Sequence, residues 1–182
     1  MLEAIKQRRS IYPEFFNQVP VSEEEIQELL EAARYAPTHK LTEPWRFTVL
    51  MGDSKDRFQS FTVDSLMANE ALSAKAPRMG NKIAKSSALL VIKYQRDLQE
   101  RLPEWEELAS TAMAVHNIWL YAGQLGLGGY WSTGKPLMNA AKDFVEMKEG
   151  EEVIGLFFLG KYDENLKERP RKAVSDFTTW MK

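Results

Sequence analysis

Residues 104–134 read EWEELASTAMAVHNIWLYAGQLGLGGYWSTG, and the fold turns on this stretch. From Glu104 to Leu125 the spacing predicts the longest helix of the chain, with Leu108, Ala112, Val115, Trp119 and Ala122 on one face. Gly126, Gly128 and Gly129 announce its end, and Tyr130-Trp-Ser-Thr133 reads as a short strand or loop after that turn. Upstream, Ala88–Ile92 is an unbroken apolar run, which suits a central strand covered on both faces. Downstream, Asn139–Met147 reads as a short helix, and Val153–Leu159 as a second buried strand closed by Gly160.

Further out, Ser22 and Glu25 form a capping box that opens a helix with Ile26, Leu29, Leu30 and Ala33 on its apolar stripe, ending at Pro37. Trp45–Val49 alternates as a half-buried strand does, and Gly52-Asp53 turns the chain into a helix through Phe58. Asp64 to Lys82, with Pro77 and Gly80, reads as a mobile surface excursion. The order αα-β-α-β-α-α-β, helices covering a small sheet, indicates α/β or α+β and is too irregular for a doubly wound fold. From Lys161 to Lys172 the chain is almost wholly polar and cannot pack a core, yet Val174, Phe177, Trp180 and Met181 follow. A polar arm tipped by apolar anchors is expected to dock on a partner subunit, the alternative being its own domain.

Composition narrows the chemistry. The 182 residues suit one domain, and the absence of cysteine removes thiolate metal sites, iron–sulfur clusters, disulfides and thiol catalysis. With His39 and His116 the only imidazoles, a His-rich metal centre is not expected. A net charge of −2 without like-charge blocks gives no nucleic-acid footprint. No apolar run approaches the roughly 20 residues of a spanning helix, and the first nine residues have no apolar core of a secretion signal, so a cytoplasmic protein with no membrane partner is expected.

Gly129 to Lys135 matches the first seven positions of a phosphate-binding loop, but Pro136 stands where a metal-binding hydroxyl is needed and Tyr130 and Trp131 crowd the interior, which argues against an NTPase. Arg8-Arg9-Ser10 places two guanidinium forks beside a hydroxyl, a set that suits a phosphate, although adjacent arginines are common on solvated faces. Ala36–Lys40 and Glu43–Phe47 form a proline-stiffened polar loop in which His39, Lys40 and Glu43 can meet the edge of a heteroaromatic ligand; a structural His39 is the competing reading. His116 reads as a satisfied core or interface histidine, and Asn117 as a buried amide that needs partners. No Ser-His-Asp order, carboxylate pair or HExxH motif is present, which fits a cofactor that carries the chemistry.

In sequence order, Arg8-Arg-Ser10, Ala36-Pro-Thr-His39 leading to Pro44-Trp-Arg-Phe47, Leu125–Gly134, and Val153–Gly160 with its arginine-bearing arm resemble the FMN-dependent nitroreductase family, in its short single-domain NAD(P)H branch. The resemblance spans nearly the whole chain. It implies an α+β fold: a central, mainly antiparallel sheet flanked by helices, in an intertwined homodimer whose C-terminal arms are exchanged. Residues 1–160 would form the FMN-binding domain and 161–182 the arm. It further implies FMN sites at the dimer interface, with Arg8, Arg9 and Ser10 at the phosphate and ribityl chain, His39 and Glu43 at the isoalloxazine or ribityl, Trp131, Ser132 and Thr133 giving mostly backbone contacts, and Arg171 adding charge at the phosphate. No side chain is assigned as catalytic, the chemistry belonging to the flavin. The implied activity is ping-pong transfer from NAD(P)H to a small-molecule electron acceptor such as a nitroaromatic or quinone; the alternatives are a non-catalytic flavin-binding or redox-responsive protein, or a purely structural dimeric module. Glu43 departs from the glutamine common in close relatives. The lysine that larger members place near flavin N1/O2 has no assigned counterpart, with Lys82 a candidate.

Overall fold

Strands β2 (Ala88–Gln95) and β4 (Glu151–Lys161) pair antiparallel at the centre of the sheet, in a register that sets Ala88 opposite Leu159 and Leu90 opposite Phe157. They come from the two apolar runs, and the computed structural model, which describes residues 1–163 and 170–182, shows why those runs are continuous. Leu90, Ile92, Phe157 and Leu159 join one core and Leu89, Val91, Leu156 and Phe158 another, so both faces are buried. β1 (Trp45–Met51) flanks β2 and β3 (Leu127–Ser132) flanks β4, giving the fully antiparallel order β1-β2-β4-β3.

Helices α2 (Glu23–Arg34) and α5 (Glu104–Gln124) supply Ile26, Leu29, Val115 and Ile118 to the first core. The predicted Ser22–Glu25 capping box is present. On the other face lie α3 (Asp53–Met67), α4 (Ala76–Lys85) and α6 (Lys135–Phe144), which contribute Phe58, Ile83 and Leu137. A short α1 (Leu2–Gln7) precedes them all. Among the described residues no helix is long and apolar enough to cross a membrane.

Four expectations need correction. Residues 64–82 are not a loose excursion: α3 runs on to Met67 and α4 begins at Ala76. Pro77 sits in the first turn of α4, where its missing N–H costs nothing, and Gly80 is a packing residue, since a Cβ there would meet Val63 Cγ2 at 2.6 Å. The helix expected at 139–147 instead spans Lys135–Phe144, again with proline in the first turn. The inward face of α5 consists of Glu107, Ser110, Thr111, Ala114, Val115, Ile118 and Ala122, while Leu108 is 42% exposed. Val115 and Ala122 are inward as expected, and Glu107, Ser110 and Thr111 take buried positions beside Ile118 that apolar periodicity does not mark. Finally, His116 is exposed in the chain and takes no part in the core. Asn117 does find a partner: its Nδ2 donates to the Ala32 carbonyl in the last turn of α2 at 3.1 Å.

Candidate functional site

The N-terminal arginines are held by a backbone approach that two glycines permit. After α1 the chain turns extended at Arg8, and the Ile11 N–H donates to the Gly129 carbonyl on β3 at 3.0 Å. A Cβ on Gly128 would lie 2.9 Å from Ile11 Cβ, and one on Gly129 would lie 2.4 Å from Phe157 Cζ. These glycines, read from sequence as the end of α5, are strand residues, Gly128 leaving room for the arginine segment itself and Gly129 for the Phe157 ring on the other face.

Trp119 on α5 anchors it. The Arg8 guanidinium carbon sits 4.7 Å from the indole centroid, and the indole Nε1–H donates to the Arg9 carbonyl at 3.0 Å. Arg9 turns one guanidinium nitrogen onto the Lys6 and Arg8 carbonyls, while its Nε is buried without a partner. Burial holds the Arg8 guanidinium below its ordinary value, and the charges of Arg171 and Arg9 push it the same way. Among the described residues no carboxylate lies within 4.0 Å of any of the three arginines. The cavity beside them, about 110 Å³, is lined by Gln7, Arg8, Arg9, Ile11, Trp119 and Tyr162. Arg8 and Arg9 line this cavity, with the charge of exposed Arg171 felt at Arg8, and an anion would complete the pair. The partly buried Ser10 follows them.

His39 and Glu43 belong to a second place. The 3₁₀ turn His39–Leu41 lies between α2 and β1, and His39 Nδ1 is 2.6 Å from Glu106 Oε2 in the first turn of α5. Lys40, Leu41 and Glu43 all have positive φ, of 51°, 52° and 42°. Left-handed backbone at side-chain-bearing residues is costly and persists where surrounding bonds impose it. Here the Glu43 N–H donates to Thr38 Oγ1 at 3.1 Å and Lys40 Nζ to the Arg101 carbonyl at 3.2 Å. Glu43 itself is exposed.

Trp131, Ser132 and Thr133 lie at the opposite end of β3 from the arginines. Trp131 pairs with Phe157 across the sheet and covers Gly155, where a Cβ would fall 2.1 Å from its Nε1. That indole N–H is buried and unpartnered; Ser132 is buried and Thr133 exposed. A pleated strand here also removes the phosphate-loop reading. Lys82 stands 5.0 Å above the Tyr130 ring, itself 4.5 Å from the ring of Tyr12. Burial lowers the Lys82 ammonium, Arg78 lowers it further, and Glu14 opposes both.

Thus the chain sets Arg8 and Arg9 on one cavity, with the charge of exposed Arg171 felt at Arg8, whereas no hydrogen bond, ion pair or ring contact among the described residues joins His39 or Glu43 to them. Two partners escape sequence reading: Trp119 beneath Arg8, singled out only as packing, and Glu106 on His39, which no local spacing announces. In the arm, residues 164–169 lie outside the described residues; beyond them Phe177 and Trp180 are 69% and 80% exposed.

Comparison with known proteins places this architecture. The chain is 28% identical over 185 residues to a Bacillus subtilis protein named "Putative NAD(P)H nitroreductase YfhC", covering 98% of this chain and 93% of that one. The crystal structure of a nitroreductase-like family protein from Bacillus cereus superimposes with a TM-score of 0.87 at 22% identity, over 99% of this chain and 95% of that one. A nitroreductase with bound FMN from Bacteroides fragilis matches with a TM-score of 0.72 at 19% identity, over 100% and 98% of the two chains. The family model described as the nitroreductase family matches residues 5–161, and the chain belongs to that family.

Proposed function

We propose that the protein is a homodimeric, cytoplasmic, FMN-dependent NAD(P)H oxidoreductase that reduces nitroaromatic, quinone or similar acceptors. The observation that carries the reading is the pair Arg8 and Arg9 on one cavity, which has no carboxylate within 4.0 Å among the described residues and leaves the buried Arg9 Nε without a partner. This donor set fits the FMN phosphate: guanidinium forks meet phosphate oxygens in pairs, and the Ser10 hydroxyl adds a donor. Bound FMN supplies the redox chemistry, taking hydride from NAD(P)H and giving reducing equivalents to the acceptor.

The chain's own residues hold and orient. Arg8, fixed on Trp119, and Arg9 anchor the phosphate end, and Arg171 brings the arm to the same charge. His39 and Glu43 stand apart from that cluster within one chain, and Trp131–Thr133 lie at the far end of β3, as a site completed by a second subunit requires. The arm, residues 161–182, then docks on the partner, where its exposed Val174, Phe177, Trp180 and Met181 are covered. The test is steady-state NAD(P)H oxidation by the FMN-loaded protein with nitroaromatic and quinone acceptors varied in turn. Parallel double-reciprocal lines are expected. Bound FMN without turnover for any acceptor would leave a flavin-binding protein instead.

A further inference from the structure

The imidazole of His39 is held on one edge by the Glu106 carboxylate. The Glu106 side chain is 23% exposed and accepts at 2.6 Å from the Nδ1 edge of an imidazole that is itself 58% exposed. An ionised carboxylate can only accept, so Nδ1 carries hydrogen in both charge states of the ring, and Nε2 on the opposite edge is the atom that gains and loses a proton. The groups that face the ring are few. Glu106 comes from α5, and Lys40 of the same loop turns its ammonium onto the Arg101 carbonyl. The remaining lining of the open cleft beside His39, about 540 Å³, is uncharged and includes Pro37, Thr38, Trp105, Ala109 and Met113. Its volume suits a small organic molecule and its exposed indole a planar one.

The backbone makes the same case. A loop that holds Lys40, Leu41 and Glu43 in the left-handed region keeps that conformation through the Thr38 hydroxyl and the Arg101 carbonyl, and the Thr42 N–H closes the same turn on the His39 carbonyl at 3.3 Å. A surface histidine without a task needs neither this tether nor a half-buried carboxylate brought from 67 positions away.

We infer that His39 Nε2–H protonates the electron acceptor as it is reduced, with Glu106 as the positioning residue. The inference rests on the oxidoreductase reading above. With a quinone the step balances: two electrons and one hydrogen arrive as hydride from the reduced cofactor, one proton arrives from His39 Nε2, and both quinone oxygens become hydroxyls. The neutral imidazole regains its proton from solvent.

The experiment separates the two half-reactions and adds a readout that needs no turnover. In His39→Gln the amide keeps a donor near the Nε2 position but cannot release its proton. In the FMN-loaded variant quinone reduction slows about 100-fold more than cofactor reduction by NAD(P)H does, and loses its pH dependence. By ¹H–¹⁵N NMR of the imidazole, the unaltered protein holds the Nδ1–H tautomer through the whole titration; Glu106→Leu loses it, and Glu106→Gln, which keeps an acceptor oxygen, restores it. A His39→Gln protein that reduces quinone at the original rate with the original pH profile overturns the inference. If that variant loses FMN, FMN-loaded Glu106→Leu decides: slowed quinone reduction supports the inference and an unchanged rate overturns it. An unaltered chain that takes up no FMN removes the oxidoreductase reading itself, and this inference with it.

Discussion

Two groups of buried or partly buried cations in this molecule have been given opposite surroundings. Lys93 on β2 is 7% exposed and donates to Glu151 Oε2 at 2.6 Å and to the Glu146 carbonyl at 3.2 Å. Glu151 accepts in addition from the Lys148 N–H at 3.1 Å, so both charges are satisfied within the fold. Arg8 has an indole beneath it and Arg9 on the same cavity, with no carboxylate within 4.0 Å among the described residues and the charge of exposed Arg171 acting against its own. The first arrangement ties the 145–151 connection to the sheet. The second leaves repulsion and a buried donor unanswered, a cost that the fold alone does not offset. Matched charge is structure here, and unmatched charge marks the proposed site.

The contrast makes predictions at decreasing scale. Glu151→Leu strands the Lys93 ammonium in the sheet, and the loss is about 3–5 kcal/mol, or roughly 10 °C in Tm by thermal melt. Adding Lys93→Met to it recovers most of the loss, because the pair is then replaced by apolar packing. Arg8→Ala behaves in the opposite way. It weakens FMN retention about 10- to 100-fold by fluorescence titration, while the melt of the FMN-free chain stays level or rises as repulsion is relieved. A destabilised Arg8→Ala with unchanged retention would place Arg8 with the structural charges.

Acid sharpens the same comparison. Burial pushes the Glu151 carboxyl up, but hydrogen bonds from Lys93 and from the Lys148 backbone outweigh it and leave the group below its ordinary 4.5. A lowered folded value means that its contribution is complete above pH 4.5 and disappears as pH falls through that lower value. The stability profile of Glu151→Leu is therefore flatter on the acid side, measured by chemical denaturation across that range. The smallest effect is on the anion side. Inorganic phosphate at about ten times its Kd raises the Tm of the FMN-free chain by roughly 3 °C, and does not do so in Arg8→Ala.

What the sequence made readable follows the range of the interactions concerned. The β2 and β4 runs are local patterns, and their double-sided burial was evident in them. The Ser22–Glu25 cap was equally local. Pro77 and Gly80 misled because the same residues break a chain or start and pack a helix, depending on whether Val63 stands opposite. On α5, Val115 and Ala122 face inward as the periodicity predicts, whereas Leu108 is exposed and polar Glu107, Ser110 and Thr111 are buried, which apolar periodicity does not mark. At the site, Arg8-Arg9-Ser10 and His39 stood out as local clusters of chemistry. Trp119 beneath Arg8 and Glu106 beside His39 are contacts between segments far apart in the chain, and no spacing encodes them. Arg171 is named by resemblance alone; in the structure it is exposed and does not line the cavity beside Arg8.

The central claim is that the unmatched arginines exist to hold a flavin phosphate, and cofactor loading tests it most directly. Purified protein incubated with FMN and passed through gel filtration is predicted to elute yellow, as a dimer carrying equimolar FMN, with riboflavin, which lacks the phosphate, failing to load under the same conditions. Colourless protein, or riboflavin retained as well as FMN, would contradict it.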